Sequence, residues 1–188
     1  MADGTLKVGT ITTSSGSGTI TLGQSGETIS IPSGATLTNS GTATGFGGGK
    51  LLQVINASTS TETRSSSNSF IDTTLTASIT PSATSSKVLV TVFQNGCDKS
   101  AGSTDNKIEL KLLRGSTFLT LLSAHAAYST DAESMAIGTI GTTYLDSPST
   151  TSATTYKTQM KSPEGTSNIG VQGTGGESST ILLMEIAG

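Results

Sequence analysis

A chain of 188 residues with only 12% charged and 4% aromatic positions holds 35 Thr, 30 Ser and 23 Gly. Ile, Leu, Val and Phe total 39, near the composition at which a chain stops burying enough apolar surface to offset its conformational entropy, yet the net charge of -3 is far from that of a disordered segment. Thr is a strand former, and a pI near 5.0 without a basic stripe leaves nothing to neutralise phosphates, so the composition points to an all-β protein and excludes an α-helical enzyme and a nucleic-acid partner.

The first 49 residues hold 12 of the 23 Gly, one aromatic (Phe46) and three charges, Asp3, Lys7 and Glu27. A degenerate repeat runs through them, with Gly18, Gly26 and Gly34 at intervals of eight. Between the glycines, Ile20 and Leu22, Ile29 and Ile31, then Ala35 and Leu37 have the alternation of short strands, and Leu6 and Val8 begin a weaker copy. Each unit offers two apolar side chains, too few for a core within one chain. Residues 1–44 are therefore expected to be a β stem or anchor that buries its apolar face on its own copies or on neighbouring subunits. Gly45-Phe-Gly-Gly-Gly49 reads as a hinge over residues 45–49.

Residues 50–188 read as a conventional β domain. Leu52 and Val54 open a strand; Leu75, Ala77 and Ile79 alternate with polar residues up to Pro81. Val88, Val90 and Val92 form the most apolar strand, which Gly96 is expected to end. Ile108, Leu110 and Leu112 precede the turn Arg114-Gly115-Ser116, so strands near 107–113 and 117–123 should form a hairpin. Tyr156, Thr158 and Met160 share a face, Ile169 and Val171 make a short strand, and Ile181, Leu183 and Glu185 share a face in the last one. Eight or nine strands of this spacing suit an antiparallel β-sandwich, most simply a jelly roll, with negligible helix.

Chemistry-bearing residues are few. His125 is the only His and Cys97 the only Cys, so an intrachain disulfide and a Cys/His metal cluster are excluded. No G-x-S-x-G elbow accompanies His125, which is expected to be a partly buried or interface histidine, and Cys97 an incidental thiol. Gly45–Gly49 followed by Lys50 fails as a phosphate loop, because Thr44 and Leu51 stand where Gly and Ser or Thr are required. Asp98, Asp105, Asp131, Glu133 and Asp146 read as solvated loop acids without calcium-loop spacing. Asn56-Ala57-Ser58 matches a glycosylation sequon by chance. The N-terminus carries no apolar signal segment, and runs such as Val88-Leu89-Val90 and Ile181-Leu182-Leu183-Met184 are too short for a membrane helix. No catalytic, cofactor or metal residue is assigned, and no membrane insertion is expected.

The opening Met1-Ala-Asp-Gly-Thr-Leu-Lys-Val-Gly-Thr-Ile-Thr12 and the repeat from Gly18 to Leu37 resemble the N-terminal module of virion structural proteins of marine tailed bacteriophages, cyanophages among them. Leu75 to Val90, Leu113-Arg-Gly-Ser-Thr117, Tyr144 to Tyr156 and the C-terminal Ile181-Leu-Leu-Met-Glu-Ile-Ala-Gly188 are similar to the head domain of that group. The resemblance implies a non-enzymatic virion protein of the tail-fibre kind, made in the bacterial cytoplasm. It would be a homotrimer anchored to other virion proteins through residues 1–44, with its β head displayed for attachment to the host surface, a cell-surface glycan being a candidate ligand. An alternative is a capsid decoration or head-fibre protein. A polysaccharide depolymerase would require converging carboxylates, for which Asp131, Glu133 and Asp146 are the candidates.

Overall fold

The computed structural model describes residues 9–13, 18–36, 38, 40, 50–100, 106–173 and 176–188. Leu6, Val8, Leu37, the hinge at 45–49 and Asp105 lie outside the described residues. The chain divides into two units, Met1–Thr44 and Gly45–Gly188.

In the first unit the eight-residue repeat takes the form of a recurring turn. Glu27 N donates to Gln24 O at 3.0 Å and Ala35 N to Pro32 O at 3.1 Å. Gly26 (φ +87°) and Gly34 (φ +85°) occupy the third position of these two turns, where a left-handed backbone requires glycine. The expected strands are not formed: the described residues of this unit contain no strand. Ile20, Leu22, Ile29 and Ile31 are 43–62% exposed. The physical reason is the one the repeat itself supplies. Two apolar side chains per unit do not form a core, and an extended segment becomes a strand only when a neighbour takes up its N–H and C=O groups.

The second unit is all-β. Its described residues form ten strands and no helix: β1 (Leu51–Thr59), β2 (Thr63–Ser65), β3 (Ile71–Ile79), β4 (Lys87–Lys99), β5 (Asn106–Arg114), β6 (Thr117–Ser129), β7 (Met135–Asp146), β8 (Thr154–Lys161), β9 (Ile169–Val171) and β10 (Ser179–Ile186). Five antiparallel pairs nest within one another: β5 with β6, β4 with β7, β3 with β8, β2 with β9 and β1 with β10. The expected hairpin is thus the tip, turning at Gly115 (φ +57°), and the rest of the chain pairs outward from it.

Two sheets result. One has the order β1-β10-β4-β7, with β9 and β2 continuing alongside the far end of β4; the other has the order β3-β8-β5-β6. They meet over one apolar cluster of Leu75, Ile79, Val90, Leu112, Tyr156 and Leu183, and over a second of Ile108, Leu110, Ile140, Met160, Ile169 and Val171. Between the clusters lies a layer of buried polar side chains. Thr73 is hydrogen-bonded to Thr158, whose hydroxyl donates to Gln94 Oε1 at 2.8 Å, and Gln94 Nε2 donates to Ser179 Oγ at 3.1 Å. Because every member has a partner, the layer ties β3, β8, β4 and β10 in one register without leaving a buried donor or acceptor unmet.

Gly96 does not end β4. It bulges the strand at φ +59°, and β4 continues to Lys99. β7 carries no strand expectation, since Gly138, Gly141 and the Thr residues dilute its alternation.

Glu185 is fully buried at the end of β10, as its shared face with Ile181 and Leu183 implies. Burial opposes its charge, but Gln53 Nε2 (2.5 Å) and the backbone N and Oγ of Ser82 (both 2.7 Å) donate to it. The hydrogen bonds prevail and draw its carboxyl down to about 2, from an ordinary 4.5. A carboxyl depressed in the folded state stabilises the fold above its unfolded value and loses that contribution as pH falls through the folded one. Urea midpoints should therefore decline between about pH 4.5 and pH 2. Glu185→Gln should flatten that part of the profile; an unchanged slope would remove Glu185 as its source.

Candidate functional site

The chemistry-bearing side chains are dispersed. His125 sits exposed on β6 with its ring edge-on to Tyr128 at 6.2 Å, so it is neither partly buried nor part of a triad within the chain. Asp131 and Glu133 are exposed in the β6–β7 connection. Asp146 lies at the other end of β7, 6% exposed, and its carboxylate accepts from Arg114 Nη1 (2.9 and 2.7 Å) and Tyr156 Oη (2.7 Å). The three carboxylates a depolymerase would need do not converge. Asp146 is a structural tie between β7 and the opposite sheet rather than a solvated loop acid. Desolvation and the adjacent carboxylate raise the Tyr156 hydroxyl far above its ordinary value, so it serves as a donor at every physiological pH.

Asp98 is likewise corrected. It lies within β4, where Arg64 grips it through Nη1 (2.8 Å) and Nη2 (2.6 Å) while Arg64 Nε reaches Glu62 at 2.5 Å. This fork fastens β2 to the β4 bulge. A depression of about 180 Å³ beside it is lined by Gly96, Cys97, Asp98, Gly138, Gly173 and Glu177. Both Asp98 oxygens are already committed to Arg64. The Cys97 thiol is buried, donates to Gln94 O at 3.2 Å, and is pushed by desolvation up to about 12. Lys99, two residues on, donates to Asn106 O at 3.3 Å. A thiol held protonated and buried is a poor nucleophile. Ellman's reagent at pH 8 should leave Cys97 unmodified in the folded protein and titrate one thiol in guanidinium; rapid labelling of the folded chain would contradict this burial.

A second depression, about 130 Å³, lies where β3 bulges between Asp72 and Thr76, and is lined by Asp72, Thr74, Leu75, Thr76, Lys157 and Thr158. Thr74 there has φ +66°, a strained conformation for a β-branched residue. The Asp72 carboxylate is held by Lys157 (2.9 Å) and Gln159 (2.8 Å), so its charge too is internally answered.

What remains distinctive is the contrast between the two outer sheet faces. On the β3-β8-β5 face, the outward positions include Asp72, Lys107, Glu109, Lys111, Lys157 and Lys161, with ion pairs Lys157–Asp72 and Lys161–Glu109 at 2.9 and 3.0 Å. Lys111 Nζ also rests 3.8 Å from the Phe70 ring centroid. On the outer face of β1-β10-β4-β7 the strand residues include two charges, Lys87 at one end of β4 and, beyond the bulge at the other, Asp98, which Arg64 holds. Register aligns Val54, Met184, Leu89 and Leu145 in a row across all four strands. Leu182 and Phe93 lie beside it, and Val54, Phe93 and Leu145 are 49–52% exposed. Gly141 opposite Phe93 leaves room for the ring, since a Cβ there would come within 3.1 Å of Phe93 Cδ1. Such a surface can bury apolar area; among the described residues its two charged groups, Lys87 and the Arg64-bound Asp98, stand at opposite ends of β4 and do not converge.

No family model matches the chain, and no curated protein matches it in sequence.

Proposed function

We propose that this chain is a non-enzymatic structural protein of a tailed-phage virion, a homotrimeric appendage whose residues 1–44 join the particle and whose β head is displayed for attachment to the host surface. The observation that carries the reading is the mismatch between the two units. Residues 50–188 bury two apolar clusters of their own, whereas the apolar side chains Ile20, Leu22, Ile29 and Ile31 repeat along a segment that buries none of them. A repeat of that kind is stable only in an assembly. A closed cyclic trimer lets three such thin segments share one core.

The head we read as a jelly roll. Strand orders β1-β10-β4-β7 and β3-β8-β5-β6, with first paired to last and successive pairs nested inside, support that reading. It is the arrangement obtained when one long hairpin is rolled into two facing sheets. A low-charge head rich in Thr and Ser presents a hydrated surface for weak contacts that gain strength from several copies.

Native mass spectrometry of the full chain tests the assembly. The expected species has about 56 kDa, three times the 18.8 kDa chain, and a monomer at micromolar concentration would sink the trimer. Immunogold labelling of particles with antibody against residues 50–188 tests the location. Label at the tail supports the attachment reading, and label spread over the capsid supports decoration instead.

A further inference from the structure

We propose that the outer face of the β1-β10-β4-β7 sheet is the surface through which copies of this chain associate, three such faces turned toward one axis and closing a second apolar core. The inference rests on the trimer reading and adds to it the contact surface.

The first argument comes from the strands themselves. A strand covered on one side alternates apolar and polar residues, whereas a strand covered on both sides is apolar throughout. Val88-Leu89-Val90 in β4 and Ile181-Leu182-Leu183-Met184 in β10 are of the second kind. The head has only two layers. Val88, Val90, Ile181 and Leu183 are fully buried between them, and Leu89, Leu182 and Met184 point the other way. The composition of these two central strands therefore matches a sheet covered on both faces, while the single chain covers one.

The second argument is area. Four strands spaced about 4.8 Å apart and seven residues of about 3.3 Å each give a face of roughly 450 Å² in projection. That projection, its Thr positions included, is more than half of the roughly 800 Å² per partner in a standard interface.

The third argument identifies the occupant. Identical faces meeting around an axis must tolerate their own image, and like charges brought together are costly. This face satisfies that condition over its middle: Lys87 lies at one margin, Asp98 beyond the β4 bulge at the other is neutralised by Arg64, and Thr91, Thr143 and Thr180 stand among the apolar residues between. The opposite face, with its six charges, does not. A glycan or a strongly charged partner would find neither stacking aromatics in number nor a counter-charge on it. β1, the edge of this face, lies on the same chain as the repeat whose apolar side chains stand exposed, so association of either surface raises the effective concentration for the other.

The test uses the full chain with Val54→Glu and Leu145→Glu together. Both residues are about half exposed in the single chain, so the substitutions should spare the fold, which far-UV circular dichroism and a melting curve verify. Native mass spectrometry should show the trimer of the unaltered chain shifted to monomer, with association at least ~100-fold weaker. Thr76→Glu on the other face should keep the trimer mass. A double variant that keeps it too overturns this inference and leaves the trimer reading standing. A monomeric unaltered chain overturns both.

Maleimide labelling supplies a readout independent of the charged substitutions. Thr143→Cys and Ser78→Cys place thiols on the two outer faces at positions that are both exposed in the single chain. Within the assembled protein Thr143→Cys should react at least ~10-fold more slowly than Ser78→Cys. Equal rates would mean the face is open and the inference wrong.

Discussion

Gly96→Ala should lower the stability of the 50–188 domain by at least about 3 kcal/mol and its melting temperature by roughly 10 °C. Two effects combine. Gly96 has φ +59°, which costs a side-chain-bearing residue about 1 kcal/mol. In addition, a Cβ there would stand against the Gly173 amide nitrogen and the Glu177 carboxylate, well inside van der Waals contact. Backbone cannot step aside cheaply here, because Gln172 N donates to Asn95 O (2.9 Å) and Gly173 N to Gly96 O (3.2 Å) across the same approach. The glycine is what allows the β9–β10 connection to lie on the β4 bulge. Gly115→Ala is the control: its φ is +57° and nothing lies within 4 Å of the added Cβ. It should lose only about 1 kcal/mol. Thermal unfolding of the two variants followed by circular dichroism separates conformational strain from collision, and equal losses would show that the close approach contributes nothing.

Asp146→Ala should cost about 3 kcal/mol, the second large effect. The substitution leaves the Tyr156 hydroxyl, fully buried, without its acceptor, and leaves Arg114 without the carboxylate it grips. The figure is at the low end for a broken buried pair because the Arg114 side chain keeps 26% exposure and water can answer part of its charge. Tyr156→Phe should cost about 1 kcal/mol, since Asp146 keeps Arg114. Combined, Asp146→Ala with Tyr156→Phe should cost less than the sum, because the second change removes the donor that the first left unmet. Denaturant midpoints of the four proteins in the cycle give the coupling; strict additivity would mean that the hydroxyl and the carboxylate do not act together.

These ties explain how a chain poor in large apolar residues keeps two sheets in register. Three polar devices cross between strands remote in sequence: Arg114–Asp146–Tyr156, Arg64–Asp98, and the Thr73–Thr158–Gln94–Ser179 layer. Each joins hydroxyl, amide or guanidinium donors to acceptors on another strand, and a Thr- and Ser-rich composition supplies such groups more readily than it supplies Leu.

Strands with strict alternation were legible residue by residue. Leu75, Ala77 and Ile79, then Val88, Val90 and Val92, then Tyr156, Thr158 and Met160 all point inward as their spacing implies, because period-2 patterning is a local record of which side is buried. β7 was not legible. Its inward residues Ile140, Thr142, Tyr144 and Asp146 are mostly polar or amphipathic, and its place is determined by pairing with β4 along nearly its whole length. Gly96 carried a turn signal that the fold resolves as a bulge, since glycine permits a left-handed residue in either setting. The acids divided the same way: Asp131 and Glu133 are exposed as expected, but Asp98 and Asp146 acquired partners 34 and 32 residues distant, which no local spacing announces. The apolar row on the outer face was hidden for a related reason. Leu89 and Met184 sit inside apolar runs whose two sides cannot be told apart until register aligns them with Val54 and Leu145.

By itself, then, the sequence determined the class of the fold, the local direction of most strands and the unusual poverty of residues 1–44, because composition and period-2 alternation are properties of neighbours along the chain. Tertiary structure alone decided which strands lie side by side, which acids are structural and which of the two outer faces is left apolar. Those are properties of residues brought together from distant parts of the chain, where long-range pairing and burial override any local preference.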